Sequence, residues 1–399
     1  MDFRPEPGDV EFREEVRDFL RHNLPSDLAA RNRGVYHPSP EDMRAWTRIL
    51  HARGWSAPSW PKRWGGTGWS LMQRAIFTEE CHFFNAPPTN LQGFSLVGPV
   101  IYTFGSDAQK AEYLPKILSG DQLWAQGFSE PNAGSDLASL TTRAERDGDA
   151  FVVNGQKTWT SFAHEADMIF CLVKTNRDVK PQQGISFLLI DTKTPGVTIR
   201  NFRSIDGGRN LNEVFLEDVR VPAQNLVGEI DKGWTYAKFL LGNERASSSA
   251  DLPYSKHGLE RLRAIAMRQD GWGRRLIDDP LFAARLVMIE ADLRALEVAV
   301  ERVIADRGEA TEVPITSVLK VRGSELQQRI SEMLVEAHGV YGMTEYPEWP
   351  RDHAPDLPWP GPEDAPGISA DFLYRRAATI FGGANEVQRT IIAKRILKL

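Results

Sequence analysis

The residues best suited to chemistry gather between Gln122 and Ser161. The run Ser129-Glu130-Pro131-Asn132-Ala133-Gly134-Ser135-Asp136 is too rich in Pro, Asn, Gly and Ser for the interior of a helix or strand, so it predicts a polar loop. Asp147-Gly148 then separates strand-like residues 140–144 and 151–153, the pattern of a tight hairpin. Trp159 follows within residues 157–161, which also read as a strand. Hydroxyls and amides in a loop, facing an aromatic on a neighbouring strand, suit a flat ring with polar edges such as a flavin. A surface loop, a hairpin and a core tryptophan would give the same local pattern, so the rest of the chain must decide between the two.

The elements that must position these residues change character twice along the chain. Residues 9–24 carry Phe12, Val16, Phe19 and Leu20 on one helical face. Ser39-Pro40-Glu41-Asp42 reads as a helix start, with Trp46, Ile49 and Leu50 as the buried stripe behind it. Helical patterns continue over 71–82, 98–104 and 107–117. From about Leu123 short β-rich runs take over at 151–153, 168–174, 185–190, 197–202 and 213–221, as in a small antiparallel barrel. Beyond Val221-Pro222 the helical period returns. Leu286, Ile289, Leu293, Leu296, Val300 and Val303 form one bundle seam and Leu326, Ile330, Met333, Leu334 and Ala337 a second. Residues 344–369 hold seven prolines and read as a long loop, and a last helix is expected over 385–397. The fold class expected is therefore α+β and multidomain. Its parts are an N-terminal α-helical domain (1–121), a middle antiparallel β-barrel domain (122–230) and a C-terminal four-helix bundle (231–399).

Composition narrows the function. The net charge of −6, with acids and bases interleaved, argues against nucleic acid as a partner. No apolar run reaches the length of a membrane span, and Met1-Asp2-Phe3-Arg4-Pro5-Glu6 does not read as a signal peptide. Two cysteines, Cys81 and Cys171, suit small buried residues of a reduced, cytoplasmic protein, and the eight histidines show no metal-ligand spacing.

Gln126-Gly127-Phe128-Ser129-Glu130-Pro131-Asn132-Ala133-Gly134-Ser135-Asp136 resembles the first signature of the acyl-CoA dehydrogenase family. Val153-Asn154-Gly155-Gln156-Lys157-Thr158-Trp159 and Asp218-Val219-Arg220-Val221-Pro222 continue the likeness, and Gly382-Gly383-Ala384-Asn385-Glu386-Val387-Gln388-Arg389 resembles the second signature. The similarity spans essentially the whole chain, with a further likeness to large subunits of pimeloyl-CoA-type dehydrogenases. It implies FAD as cofactor, oxidation of the Cα–Cβ bond of an acyl-CoA thioester as in fatty-acid β-oxidation, and electron-transfer flavoprotein as reoxidant. It also implies a homodimer or homotetramer, or a heterotetramer of unlike subunits.

The resemblance carries roles onto particular residues. Ser129 would hydrogen-bond the flavin, Trp159 lie against its ring and Ser161 supply a second hydroxyl. Backbone groups of Gln126 and Phe128 would reach the flavin and the acyl mouth, and Ser135 the CoA arm. The family position just before the second signature, where many members carry the catalytic base, is here Gly382, which cannot accept a proton. Other branches place a Glu immediately before an Arg on the helix after the barrel, here Glu244-Arg245, so Glu244 is the expected base. Leu240 and Leu241 would partly desolvate it, and a solvated Glu–Arg pair is the plainer reading. Arg245, Arg209 or the 344–369 loop would meet a distal carboxylate of the substrate, and the sequence does not choose among them. The Gly382 N–H would hold the thioester oxygen, with Gly383 beside it. Glu336, Gly339, Ala384 and Glu386 take family FAD-contacting positions, although Glu336 replaces Gln and Ala384 lacks the usual hydroxyl. The alternative readings are a subunit of an unlike-subunit acyl-CoA dehydrogenase with a shared or partial FAD site, and a flavin monooxygenase or oxidase on the same fold.

Overall fold

The computed structural model describes residues 7–33, 38–248, 251–269, 272–305, 315–346 and 361–399, and for residues 7, 242–248, 304 and 305 the backbone alone. Most of the Pro-rich stretch expected as a loop over 344–369 lies outside these residues.

Six helices open the chain: α1 (Pro7–Asn23), α2 (Ser26–Asn32), α3 (Pro40–Arg53), α4 (Leu71–Phe83), α5 (Gly98–Phe104) and α6 (Asp107–Ser119). Ser39 caps α3 as its sequence predicts, accepting from the Asp42 N–H with Pro40 in the first turn. Ser70 with Gln73, and Ser106 with Gln109, close reciprocal capping boxes on α4 and α6. Phe12, Val16 and Leu20 of α1 bury against Trp46, Leu50, Trp55, Ile76 and Phe77.

The middle of the chain is a seven-stranded sheet: β1 (Trp124–Gly127), β2 (Arg143–Asp147), β3 (Ala150–Lys157), β4 (Met168–Lys174), β5 (Ile185–Asp191), β6 (Val197–Phe202) and β7 (Leu211–Pro222). Its order is β1-β4-β2-β3-β7-β6, with β5 also paired to β4. The expected antiparallel character holds for β2/β3, β3/β7, β4/β5 and β6/β7, and two parallel pairings, β1 with β4 and a short one of β2 with β4, are added to it. Strand β4 is buried on both faces, which explains its unbroken apolar run. Phe170 and Leu172 point to the core shared with the helices, Ile169, Cys171 and Val173 to the opposite core.

Helices α7 (Gly233–Ser248), α8 (Leu252–Ala266), α9 (Pro280–Ala305), α10 (Ile315–His338), α11 (Ile368–Arg375) and α12 (Asn385–Ile392) complete the chain. Leu286, Ile289, Leu293 and Leu296 form the buried seam of α9 against Leu326, Ile330, Met333 and Leu334 of α10.

Helix α7, which carries position 244, is anchored at its start. At its start Gly233 lies so close to β5 that a Cβ there would come within 2.5 Å of the Ser186 carbonyl carbon. Beside it the Asp231 N–H donates to Ser186 Oγ (2.8 Å), and Thr175 Oγ1 donates to the Asp231 carboxylate. Past its far end, Asp251 accepts from Arg375 of α11 at 3.0 Å. Ala237 and Leu240 bury in the core where α5, β4 and β5 meet.

Candidate functional site

Strand β3 ends at Lys157, and the chain then turns instead of continuing as a strand through residue 161. Thr158 N–H donates to the Ser129 carbonyl (2.9 Å) and Thr160 N–H to the Asn212 carbonyl (3.1 Å). Asn212, itself buried, returns a bond from Nδ2 to the Thr160 carbonyl (2.8 Å). Held between these bonds, Trp159 takes a left-handed backbone (φ 58°), uncommon for so bulky a residue and a recurrent mark of functional sites. Its ring is 62% exposed and meets the Phe202 ring edge to face, with centroids 5.5 Å apart. Across the turn, the N–H and hydroxyl of Ser129 and the hydroxyl of Ser161 have no hydrogen-bond partner among the described residues. A bare aromatic face beside three unpaired polar groups is a fitting cradle for the ring of a flavin.

Beneath this cradle lies a pair the sequence does not single out. Lys157 is fully buried, and its ammonium donates to the Glu130 carboxylate (2.8 Å), the Leu172 carbonyl (2.8 Å) and the Phe128 carbonyl (3.2 Å). Those three acceptors use all the donors an ammonium has. Glu130 accepts three further bonds, from Thr141 N–H (2.6 Å), Thr141 Oγ1 (2.7 Å) and Thr142 N–H (2.9 Å). Burial pushes the Glu130 carboxyl up, but the Lys157 charge and these donors outweigh it and hold its pKa down at about 2. The signal available in the sequence was the presence of one Lys and one Glu inside otherwise turn-like and strand-like motifs.

The other expected residues distribute unevenly. Gln126 is in β1, register-paired with Phe170, and half-buried. Phe128 turns its ring into the core against Phe170 and Phe187 (5.6 and 6.2 Å), and its carbonyl goes to Lys157 rather than outward. Ser135 is exposed on the loop. Glu244 and Arg245 lie on the α7 backbone one turn beyond Leu240, but their side chains are outside the described residues. Gly382 and Gly383 both take positive φ (64° and 92°) just before α12. Ala384 is the N-cap of α12 with no side-chain cap, and Glu386 is exposed in its first turn.

Contacts through the β6–β7 connection link the Trp159 turn to the C-terminal glycines. Arg203, next to Phe202, pairs with Glu345. Burial and the nearby Asp206 raise the Tyr374 phenol, with Arg375 opposing, to about 12, and the Tyr374 ring packs on Phe381 at 6.0 Å, immediately before Gly382. Glu336 and Gly339 do not join this group through any of these contacts. Glu336 is on the exposed side of α10, bound to Arg285 of α9 at 2.7 Å, and Gly339 (φ 55°) follows the helix end.

Models of the N-terminal, middle and C-terminal domains of acyl-CoA dehydrogenase match residues 7–121, 125–219 and 231–397. The chain belongs to the acyl-CoA dehydrogenase family. Proteins of this family are flavoproteins that typically bind FAD, and the relatives matched here are named as oxidoreductases of that type. Acyl-CoA dehydrogenase IpdE1 of Mycobacterium tuberculosis is 37% identical over 98% of this chain and 97% of its own. Acyl-CoA dehydrogenase FadE29 of the same organism is 33% identical, covering 100% and 98%. Among solved structures, one titled Tcur3481-Tcur3483 steroid ACAD superposes with a TM-score of 0.87 at 30% identity, covering 100% of this chain and 99% of that one. The ChsE4-ChsE5 complex from Mycobacterium tuberculosis gives 0.83, also at 30% identity and with the same coverage. No helix among the described residues is long and apolar enough to cross a membrane, and no group of His, Cys, Asp and Glu among them could hold a metal ion.

Proposed function

We propose that this chain is an FAD-dependent acyl-CoA dehydrogenase that introduces an α,β double bond into an acyl-CoA thioester, with Glu244 as the base. The observation that carries the reading is the exposed Trp159 ring held in a left-handed turn beside the N–H and hydroxyl of Ser129, which are unpaired among the described residues. FAD, held there, would supply the acceptor for the β-hydrogen as hydride. Glu244 takes the α-proton, which leaves its electron pair in the new C=C bond, and Gly382 has no side chain that could do so. Ser129 and Ser161 hold the flavin edge, Trp159 its face, Gln126 and the Phe128 N–H the acyl mouth, and Ser135 the CoA arm. The Gly382 N–H, with Gly383, supports the thioester oxygen. Reducing equivalents pass to electron-transfer flavoprotein, and the protein works in the cytoplasm.

The acyl group we assign is bulky and ring-bearing. Gly382 leaves space beside the reacting carbons, a neighbouring fold is titled a steroid ACAD, and we assign a distal carboxylate, where the acyl group carries one, to Arg245. The adenosine half of FAD is assigned to Gly339, Ala384 and Glu386, with Glu336 contributing only if it leaves Arg285. That engaged Glu336, together with the paired names in the titles of two structural neighbours, favours a second reading in which this chain works beside an unlike subunit that completes the site.

Anaerobic mixing of the purified protein with a panel of acyl-CoAs tests the proposal. One acyl-CoA is expected to bleach the flavin in the wild type, and Glu244→Gln to slow that bleaching by a factor of about 100 or more. Bleaching that survives the substitution removes Glu244 from the mechanism. A colourless protein that takes up FAD only when co-expressed with another subunit supports the second reading.

A further inference from the structure

We propose that Lys157 is a positioning and tuning residue for the flavin, acting through the Phe128–Ser129 peptide. The inference rests on the functional reading above. The Lys157 ammonium donates to the Phe128 carbonyl, and the nitrogen of that same peptide unit is the Ser129 N–H, which has no partner among the described residues. A cation on one end of a peptide polarises it and strengthens the donor at the other end. Ser129 N–H therefore presents more positive charge to whatever it faces than an ordinary amide does. A flavin gains negative charge on reduction, so the ammonium favours the reduced form without touching it.

Geometry accounts for a lysine in this place. The ammonium spans three segments: the signature loop through Phe128 and Glu130, β4 through Leu172, and its own strand, which leads within two residues to Trp159. Both walls of the cradle, Ser129 and Trp159, are thereby referred to one buried point. Glu130 keeps that point charged and is itself saturated by Thr141 and Thr142, the condition under which a buried ion pair is sustainable.

The experiment compares FAD-loaded wild type with Lys157→Met, Glu130→Gln and the double variant, reading midpoint potential, visible spectrum and FAD dissociation at pH 6. Lys157→Met is expected to shift the potential negative and weaken FAD retention about tenfold, the size of one charge-assisted hydrogen bond. Glu130→Gln leaves the ammonium on the carbonyl without its neutralising partner, so its potential is expected to move the opposite way. The double variant carries no buried charge and is expected to fold with a potential near that of Lys157→Met, so folding failure of one single variant leaves two comparisons. A purely structural pair would move both single variants in the same direction and return the double variant to the wild-type potential, and that result overturns the proposal. A wild type that takes up no FAD under any loading condition overturns the functional reading instead.

Discussion

Phe202 meets Trp159 edge to face, their ring centroids 5.5 Å apart and their planes at 80°. Phe202 closes β6, and the next residue, Arg203, pairs with Glu345 in the C-terminal part of the chain. The tryptophan we assign to one wall of a flavin cradle is thus braced from a connection that also touches the C-terminal domain. Removing the brace by Phe202→Ala costs an aromatic pair worth about 0.5–1.5 kcal/mol. FAD dissociation is expected to rise roughly threefold to tenfold, with a red shift in Trp159 emission in the apoprotein. Unchanged FAD binding would mean the left-handed turn holds Trp159 without help from Phe202.

Helix α12 starts at Ala384, a poor N-cap, although its backbone is already in the extended conformation a cap requires. Ala384→Ser is expected to stabilise the protein by about 0.5–1 kcal/mol, since Ser is among the preferred caps. A higher Tm with unchanged catalysis would identify Ala384 as a structural cap alone. A higher Tm together with slower FAD release would place the new hydroxyl on the cofactor.

Much of the architecture can be read from the sequence because periodicity reports faces. The change of period near Leu123, the Asp147-Gly148 hairpin with Gly148 at positive φ, and the α9 seam all follow from local pattern. What could not be read depends on partners distant along the chain. Residues 157–161 alternate like a strand, but bonds from Ser129 and Asn212 turn the chain at Trp159. The parallel β1/β4 pair reflects topology rather than composition. Lys157 and Glu130 look like two ordinary charged residues until β3 is laid against the signature loop. The turn proposed to hold the flavin ring was therefore legible as a motif, but not the charge beneath it. The adenosine side was assigned by likeness alone, and there Glu336 turns out to be held by Arg285.

His82 of α4 and His257 of α8 meet edge to face at 5.3 Å where the first and last helical regions touch. Burial lowers the pKa of His257 to about 4, with His82 and Arg261 adding to the effect. His82 is lowered by burial, with Arg375 and Arg261 reinforcing and Asp251 and Asp371 opposing. A folded pKa below the unfolded value near 6.5 contributes stability that is complete above pH 6.5 and is lost as pH falls toward 4. His257→Phe, which packs beside Phe83, is expected to remove roughly 2 kcal/mol of this loss, discounted because the ring is only part-buried. Thermal unfolding compared at pH 7.0 and pH 4.5 reads the difference above the range in which Glu130 titrates. Parallel losses in both proteins would show that the pair does not govern acid sensitivity.

Arg375 joins the start of α8 to the segment that leads to Gly382. It is 4% exposed, lies over the Tyr254 ring at 3.4 Å, and donates to Asp371 (3.2 Å), Asp251 (3.0 Å) and Gln327. Tyr254 completes the network by donating to the other Asp371 oxygen at 2.6 Å. Arg375→Met would strand Asp371 as a buried charge with only the tyrosine hydroxyl, so a loss of about 3–5 kcal/mol is expected. Tyr254→Phe removes one hydrogen bond to a charged group and should cost about 1.5–3 kcal/mol. Because Asp251 is the N-cap of α8, three residues beyond the end of the helix bearing position 244, Arg375→Met is also expected to lower kcat while FAD remains bound. Urea unfolding, FAD content and turnover measured on both variants separate these effects. FAD lost in step with kcat would mean that Arg375 supports the cofactor site rather than the register of α7 against the Gly382 segment.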